Sequence, residues 1–503
     1  MPETRHFERG PCLALLCVVP VSSPHDVPVS LLTPGAPPAS GDLAEQAVTL
    51  QLLRTYDRPG PRYTSYPTAV EFHDGFGPDA YARHLAAAAR HTDAPLSLYL
   101  HLPFCESRCA FCGCSVIVTK KRHVAAQYLT YLAREIGMVA QALGRRRRVV
   151  QYHWGGGTPS YLSPEQMRDL HAEVLRHFTI DPDAEVALEV DPRVTSVAQL
   201  ETLRALGFNR LSLGVQDFDD EVQRAVNRVQ GVEETGALVA HARALGFASV
   251  NVDLIYGLPR QTVESFARTI DTVVALRPDR VAAYSFAHVP WIRAHQKLLK
   301  VEELPSADRK LQLFAEARTR FLAAGYRAIG MDHFALPDDD LARAADAGTL
   351  HRNFMGYTTR PAPDVIGFGV SAIGDVAGAF AQNTKKLSTY YQAIDAGRAP
   401  VERGYALDAD DQLRRHVISQ LMCNLRLDTQ ATAGRFAIDF EAYFARELSE
   451  LAEGPVADGF LEIEPGALRV TTRGRLFVRN ICMIFDRHLR EKRAATPVFS
   501  RTI

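Results

Sequence analysis

The stretch Leu96-Ser-Leu-Tyr-Leu-His-Leu-Pro-Phe-Cys-Glu-Ser-Arg-Cys-Ala-Phe-Cys-Gly-Cys114 decides how the chain is read. Leu96–Leu102 is a short apolar run closed by Pro103, the pattern of a buried strand. Directly behind it, Cys105, Cys109 and Cys112 stand at C-x3-C-x2-C spacing, with Cys114 two residues on. Four thiolates normally close an iron–sulfur cube, so three leave one iron open to another ligand. Four cysteines this close together would also suit a zinc knuckle, and the spacing alone leaves both readings open.

Working outward, one unit recurs between about Ser97 and Phe286: a short β-branched run, a polar turn, then an amphipathic stretch. Strands are expected at Leu96–Leu102, Val149–Trp154, Glu185–Val190, Arg210–Val215, Ser249–Tyr256 and Arg280–Phe286. Helical patterns lie between them at Ala125–Leu143, Pro164–Phe178, Val197–Leu206, Asp220–Arg228, Val232–Leu245 and Val263–Leu276. Alternation of this kind implies parallel pairing through βαβ crossovers, and six units predict a full or partial (β/α) barrel, an α/β fold. Barrels of this type carry their active sites at the C-terminal ends of the strands. The cysteines fall at that face, and so does Trp154-Gly-Gly-Gly-Thr-Pro159 at the end of the second strand. Glycines there expose backbone to a ligand's amino and carboxylate groups. Together the two segments favour a cofactor site over a zinc knuckle.

The remaining sequence bounds the problem. A chain of 503 residues suits two or three domains, and 47% hydrophobic with 23% charged residues is ordinary globular composition. A formal net charge of −1 offers no field for nucleic acid or an anionic membrane, and no apolar run reaches membrane-spanning length. Of eight cysteines, four are clustered and four scattered, which fits a reduced, cytoplasmic compartment with a metal site rather than a disulfide framework. Cys12–Val21 behind Arg5 and Arg9 resembles a short signal-peptide core, but export would carry the cysteine site where thiols oxidise. The Pro-rich residues that follow are read as disordered.

Beyond the barrel, a helix is expected at Ser306–Ala324 and a strand at Arg327–Met331. Helices are expected again at Asp408–Leu425, Phe440–Leu451 and Arg475–Arg490, with a hairpin at Leu461–Glu464 and Leu468–Thr471. That helix–hairpin–helix order is winged-helix-like, yet the neutral charge gives a DNA-binding role little support. The basic run Arg145–Arg148 reads as a solvated helix end. His101, His153, His288 and His333 read as satisfied, half-buried histidines, and Cys423 and Cys482 as packing residues.

Here the chain resembles a known family. Tyr99–Cys105, Cys109–Cys114 and Gly155–Pro159 are similar to segments of the radical S-adenosylmethionine (SAM) oxygen-independent coproporphyrinogen III oxidases. So are Pro61–Thr68, Tyr357–Thr359, Ser371–Gly374 and Arg479–Met483, and the similarity runs from about Leu53 to Ile503. It implies a radical SAM partial (β/α)6 barrel at 91–335 with an N-terminal arm at 49–90. A mainly helical C-terminal domain with a small hairpin would occupy 336–503, and a disordered extension 1–48.

The resemblance also implies roles. Cys105, Cys109 and Cys112 would hold a [4Fe-4S] cluster, and Cys114 would stand beside it. Tyr99, Gly156, Glu189 and Ile373 would contact a cluster-bound SAM. Phe111, Gly157, Thr158, Gln216, Arg228, Asp253 and Ala287 would contact a second SAM molecule. The implied reaction turns two propionates of coproporphyrinogen III into vinyl groups, giving protoporphyrinogen IX in haem biosynthesis. Implied partners are that substrate and an electron donor such as flavodoxin or ferredoxin, with the chain a monomer. A substrate with four carboxylates calls for arginines, and Arg62, Arg352 and Arg360 are the candidates. Met355 stands where the family commonly has glutamine. The alternatives are a radical SAM-like haem-binding chaperone and a zinc-stabilised barrel; Cys114 and the Pro61–Thr68 arm favour the enzyme.

Overall fold

The computed structural model describes residues 55–491 together with Phe499 and Arg501; the expected extension over 1–48 and the Cys12–Val21 segment lie outside them. Twelve strands form one sheet: β1 (Leu96–Leu102), β2 (Arg148–Gly156), β3 (Thr179–Val190), β4 (Arg210–Gln216), β5 (Ser249–Tyr256), β6 (Arg280–Ser285), β7 (Arg327–Gly330), β8 (His333–Ala335), β9 (Asp364–Phe368), β10 (Ile373–Val376), β11 (Ala379–Asn383) and β12 (Val401–Ala406). Their order is β12-β11-β10-β9-β1-β2-β3-β4-β5-β6-β8-β7. Strands β1 to β6 pair in parallel in chain order, each step crossed by a helix as the repeat predicts. The result is an α/β partial barrel of six units, extended at both ends.

Local chemistry explains why the helices start where they do. Ser163 with Gln166, Ser196 with Gln199, and Thr262 with Ser265 form reciprocal capping boxes at helices Pro164–His177, Val197–Ala205 and Val263–Leu276. The apolar faces of these helices pack on Leu98, Leu100, Trp154, Leu188, Leu213 and Val252, all in one core.

Strand β1 is not an edge. It pairs in parallel with β9 on the side away from β2, with Leu96 opposite Asp364 and Leu100 opposite Phe368. Six of its seven residues are therefore buried, including Ser97 and His101, which need polar partners. Ser97 Oγ finds Gln151 Oε1 at 3.0 Å. Residues 364–406, expected within a mainly helical C-terminal unit, thus contribute four strands to the main sheet.

Three further expectations change. Arg146, in the run read as a solvated helix end, is fully buried: it donates to Ala88 O, Ala94 O and Pro95 O and pairs with Asp364 at 2.5 Å. A charge inside is tolerable only when matched in this way. The expected helix Phe440–Leu451 is two, Phe440–Tyr443 and Ala445–Leu451. The expected Arg475–Arg490 helix is broken into Val478–Ile484 and Arg487–Glu491. Asp486 sits at the break, its carboxylate taking Leu489 N (2.9 Å) and Tyr63 OH (2.9 Å), as a helix cap does. The hairpin is present at Leu461–Glu464 and Ala467–Val470, joined by Arg426–Asp428 into three strands.

The arm crosses from barrel to C-terminal region. Arg479 donates to Pro61 O at 3.0 Å, Arg352 to Arg62 O at 2.6 Å, and Arg62 pairs with Asp332.

Candidate active site

The cysteine loop is pinned at its base and at its crest. Phe104–Cys105 pairs with Ile117–Val118, and Thr119 N donates to Cys105 O at 3.0 Å. Ala110 N donates to Val226 O (2.9 Å), and Asn227 Nδ2 to Arg108 O (3.0 Å). Buried Gln296 joins Phe111 O (3.1 Å) to Ala287 O (3.3 Å), and His295 Nε2 lies 2.8 Å from Cys112 O.

Each of the three sulfurs has a polar neighbour. Cys105 Sγ is 3.3 Å from Thr158 Oγ1, and Cys112 Sγ accepts from Cys114 N at 3.4 Å. Cys109 Sγ accepts from Arg228 Nη1 at 3.4 Å and Arg193 Nη2 at 3.7 Å. Burial pushes the Cys105 thiol up to about 11, whereas the hydrogen bond from Cys114 draws Cys112 below its ordinary value. Among the described residues, no three His, Cys, Asp or Glu side chains converge as they would around a single bare ion. An iron–sulfur cluster instead spreads its thiolates over separate irons, and thiols carrying hydrogen-bond donors fit that group.

The end of β2 closes on the end of β1. Gly156 has φ +118°, and a Cβ there would lie 2.6 Å from the His101 ring. At Gly157 a Cβ would strike the Pro103 carbonyl carbon at 2.6 Å. The amides expected to face a ligand are already engaged: Gly156 N donates to Glu189 Oε2 (3.0 Å), and Gly157 N to Leu102 O (2.9 Å). The glycines therefore serve close strand packing first.

Glu189 ends β3 beside them. Burial opposes its ionisation, but His153 and the Gly156 amide outweigh that and hold the carboxyl below its usual value. His153 Nε2 stands 3.7 Å from Glu189 Oε1, and 44% of the Glu189 side chain remains exposed, so the carboxylate has room for a cationic partner. Tyr99 stacks on His153 and its hydroxyl lies 3.0 Å from His101 Nδ1. Ile373 lies two strands away, its carbonyl over Gly367, the strand partner of Tyr99, and its side chain packs toward Phe72, Phe380 and Leu407.

The residues expected around a second ligand form an adjoining arc. Arg228 donates to Gly214 O, and Gly214 lies opposite Asp253 in the register. Gln216 follows in a left-handed conformation, φ 71°. Asp253 accepts from Ser212 (3.0 Å) and Asn251 (2.8 Å), and burial raises its carboxyl to about 6. Phe111 and Ala287 meet at Gln296, and Thr158 touches Cys105.

Similarity to known proteins coincides with this layout. A radical SAM superfamily model matches residues 99–273, and a HemN C-terminal domain model matches residues 407–477. The oxygen-independent coproporphyrinogen III oxidase of Escherichia coli K12 is 50% identical over 455 residues, covering 90% of this chain and 98% of that one. Its Pseudomonas aeruginosa counterpart is 47% identical over 440 residues, 87% and 95% of the two chains. The chain belongs to the oxygen-independent coproporphyrinogen III oxidase family. The solved structure of coproporphyrinogen III oxidase (HemN) from E. coli, described as a radical SAM enzyme, matches with TM-score 0.83 and 48% identity over 88% of this chain and 99% of that chain.

Beneath the family's mouth residues lies a cavity of about 140 Å³ inside the barrel, lined in part by His153, Glu189, Asp253, Tyr284, His333 and Met355. Met355 sits in the turn of a second hairpin, His351–Asn353 paired with Gly356–Thr358, its amide held by Asn353 Oδ1 at 2.9 Å. The candidate substrate arginines separate. Arg62 sits over the Tyr284 ring (5.3 Å) but is already paired with Asp332. Arg352 lies over Tyr357 (5.1 Å), its Nε buried without a hydrogen bond. Arg360 pairs with Asp183 at 2.7 Å, in the N-terminal half of β3 and away from the C-terminal strand ends. Sequence reasoning missed Asp191, Arg193 and Gln296. The run Asp191-Pro-Arg193 directly after Val190, the last residue of β3, was the available signal, because charged residues just past a barrel strand end face the mouth.

Proposed function

We propose that Cys105, Cys109 and Cys112 hold a [4Fe-4S] cluster, that Tyr99, Gly156, Glu189 and Ile373 orient one SAM, and that the Gln216–Arg228–Asp253 arc with Phe111, Gly157, Thr158 and Ala287 receives a second. When bound, these cofactors supply hydrogen-atom abstraction by a 5′-deoxyadenosyl radical. Family membership makes the substrate coproporphyrinogen III. Each propionate would give one hydrogen atom to the 5′-deoxyadenosyl radical, one electron to an external one-electron acceptor and its carboxylate carbon as CO₂, becoming a vinyl group, and two such conversions give protoporphyrinogen IX. An unactivated propionate C–H bond is beyond the reach of a general base at neutral pH, so the chain contributes position and exclusion of water.

The observation that carries the proposal is the corner where the cysteine loop meets Gly156 and Glu189. It sets Cys105 against Thr158, two residues from the Gly156 amide that holds an ionised, half-open carboxylate suited to the ammonium group of an amino acid. Arg62 and Arg352 are the better-placed partners for substrate carboxylates, and Arg360 is a surface ion pair. Among the described residues no helix is long and apolar enough to cross a membrane. A monomer in the cytoplasm, reduced by flavodoxin or ferredoxin, fits the cysteine usage and the oxygen sensitivity of such a cluster.

Anaerobic reconstitution tests the proposal. Expected are about four irons per chain, an EPR spectrum that changes when SAM is added, and turnover of coproporphyrinogen to protoporphyrinogen with release of 5′-deoxyadenosine. Haem binding without turnover, or zinc as the sole metal, would refute it.

A further inference from the structure

Cys109 is 8% exposed, and two guanidiniums reach its sulfur, Arg228 Nη1 at 3.4 Å and Arg193 Nη2 at 3.7 Å. Neither is a drifting surface cation. Asp191, 7% exposed, takes Arg193 Nε on Oδ1 (3.0 Å), Arg193 Nη2 on Oδ2 (2.6 Å) and Arg228 Nη1 on Oδ2 (3.1 Å). The backbone around Asp191 is fixed in turn, its carbonyl accepting Thr195 Oγ1 at 2.7 Å. Two cations bridged by one carboxylate leave one net positive charge held against one sulfur. Cys105 and Cys112 have a hydroxyl and a backbone amide in the equivalent places, and Arg108 and Arg293 act on Cys112 only through space.

We propose that Arg193, locked by Asp191 beside Arg228, is a positioning residue that raises the reduction potential of the cluster through Cys109. The inference rests on Cys109 being a cluster ligand. Reduction adds one electron from a low-potential one-electron donor and no proton, so the cluster and its thiolates gain one negative charge. A guanidinium stays protonated throughout, and net charge and hydrogen bonds to sulfur are levers on such potentials. Arg228 has a second duty in the implied SAM arc, whereas the hydrogen bonds of the Arg193 side chain run to Asp191 and Cys109.

The experiment is an EPR-monitored redox titration of the anaerobically reconstituted full chain with dithionite, without SAM or substrate. For Arg193→Gln the ratio of reduced to oxidised cluster at the wild-type midpoint should fall about tenfold, a downward shift of ~59 mV for one electron. Arg193→Lys, which keeps the charge, should recover most of it. A Gln variant with full iron and an unmoved midpoint overturns the proposal. If the Gln variant holds no cluster, Asp191→Asn decides, because it leaves two unopposed guanidiniums at Cys109: a midpoint that rises at full iron supports the proposal, and an unmoved midpoint or lost iron overturns it. Iron content of Cys109→Ala tests the ligand assignment separately, since a cluster retained there refutes that assignment whatever Arg193 does.

Discussion

The two ends of the barrel are built from the same strands and use charge in opposite ways. At the N-terminal end every cation named here meets its anion: Arg146 with Asp364, Arg280 with Asp339 at 2.9 Å, and Arg210 with Asp340 at 2.6 Å. Gln151 bridges Ser97 and Glu185 there, at 3.0 and 2.9 Å. At the C-terminal end, donors converge on thiols and on a carboxylate that keeps open coordination sites. Closed pairs hold a fold; half-satisfied groups held rigidly can receive a ligand. The contrast predicts that substitutions at one end act on stability and at the other on cofactors.

The largest effects belong to the cysteines. Cys105→Ala, Cys109→Ala and Cys112→Ala should each abolish the cluster and turnover, while Cys114→Ala should retain iron, as measured by iron per chain and EPR. Comparable iron loss in Cys114→Ala would break the ligand assignment. At the closed end, Arg146→Met should destabilise the fold by about 3–5 kcal/mol, since Asp364 is left buried without its partner. Denaturant unfolding measures this, and the surviving folded protein should bind iron normally. By contrast, Glu189→Gln should weaken SAM binding tenfold or more, about 1.4 kcal/mol, with little change in unfolding. If Arg146→Met impaired SAM binding while Glu189→Gln left it intact, the division between the two ends would fail.

Asp253 lies between the ends and sharpens the comparison through pH. Burial raises its carboxyl to about 6, against the hydrogen bonds from Asn251 and Ser212. Its ionised form is thus costlier folded than unfolded. The stability it contributes is complete below the unfolded value near 3.9 and is lost as pH rises through about 6. Asp253→Asn, neutral throughout, should therefore resist denaturant better than the wild type at pH 8, by about 3 kcal/mol, with the gap closing toward pH 4. A gap of equal size at both pH values would show that the carboxylate is not under strain.

What the sequence disclosed follows from how far each signal reaches. The six βα units were legible because each strand pairs with the next in the chain and each helix carries its own apolar period; Ser249–Tyr256 and Val263–Leu276 coincide with observed elements. Strand β9 was not. It is five residues long, and its partner β1 is remote in sequence, so no local period marks it. Arg146 was misread for a related reason: its anion is on that same remote strand. At the site, the cysteine spacing and the glycine triplet could be read because both signals are local, whereas Gln296, which ties Phe111 to Ala287, has no pattern around it. The arginine candidates divided likewise, since only the fold shows Asp332 beside Arg62 and Asp183 beside Arg360.

The smallest expected effect concerns Met355, where the resemblance leads one to expect glutamine. Its side chain lines the barrel cavity with Glu189 and Asp253, and its amide is fixed by Asn353, which also donates to Gln151 at 3.0 Å. The backbone is thus positioned independently of the side chain, so Met355→Gln should keep the hairpin in place. The two side chains have similar length, and the thioether is only a weak acceptor, so the change adds an amide without opening a void. If positioning is mainly set by the mouth, kcat should change by less than about threefold, below 1 kcal/mol in barrier height. A rise of tenfold or more would locate a substrate-handling group inside the cavity, and would move part of the chemistry from the strand ends toward the closed half of the barrel.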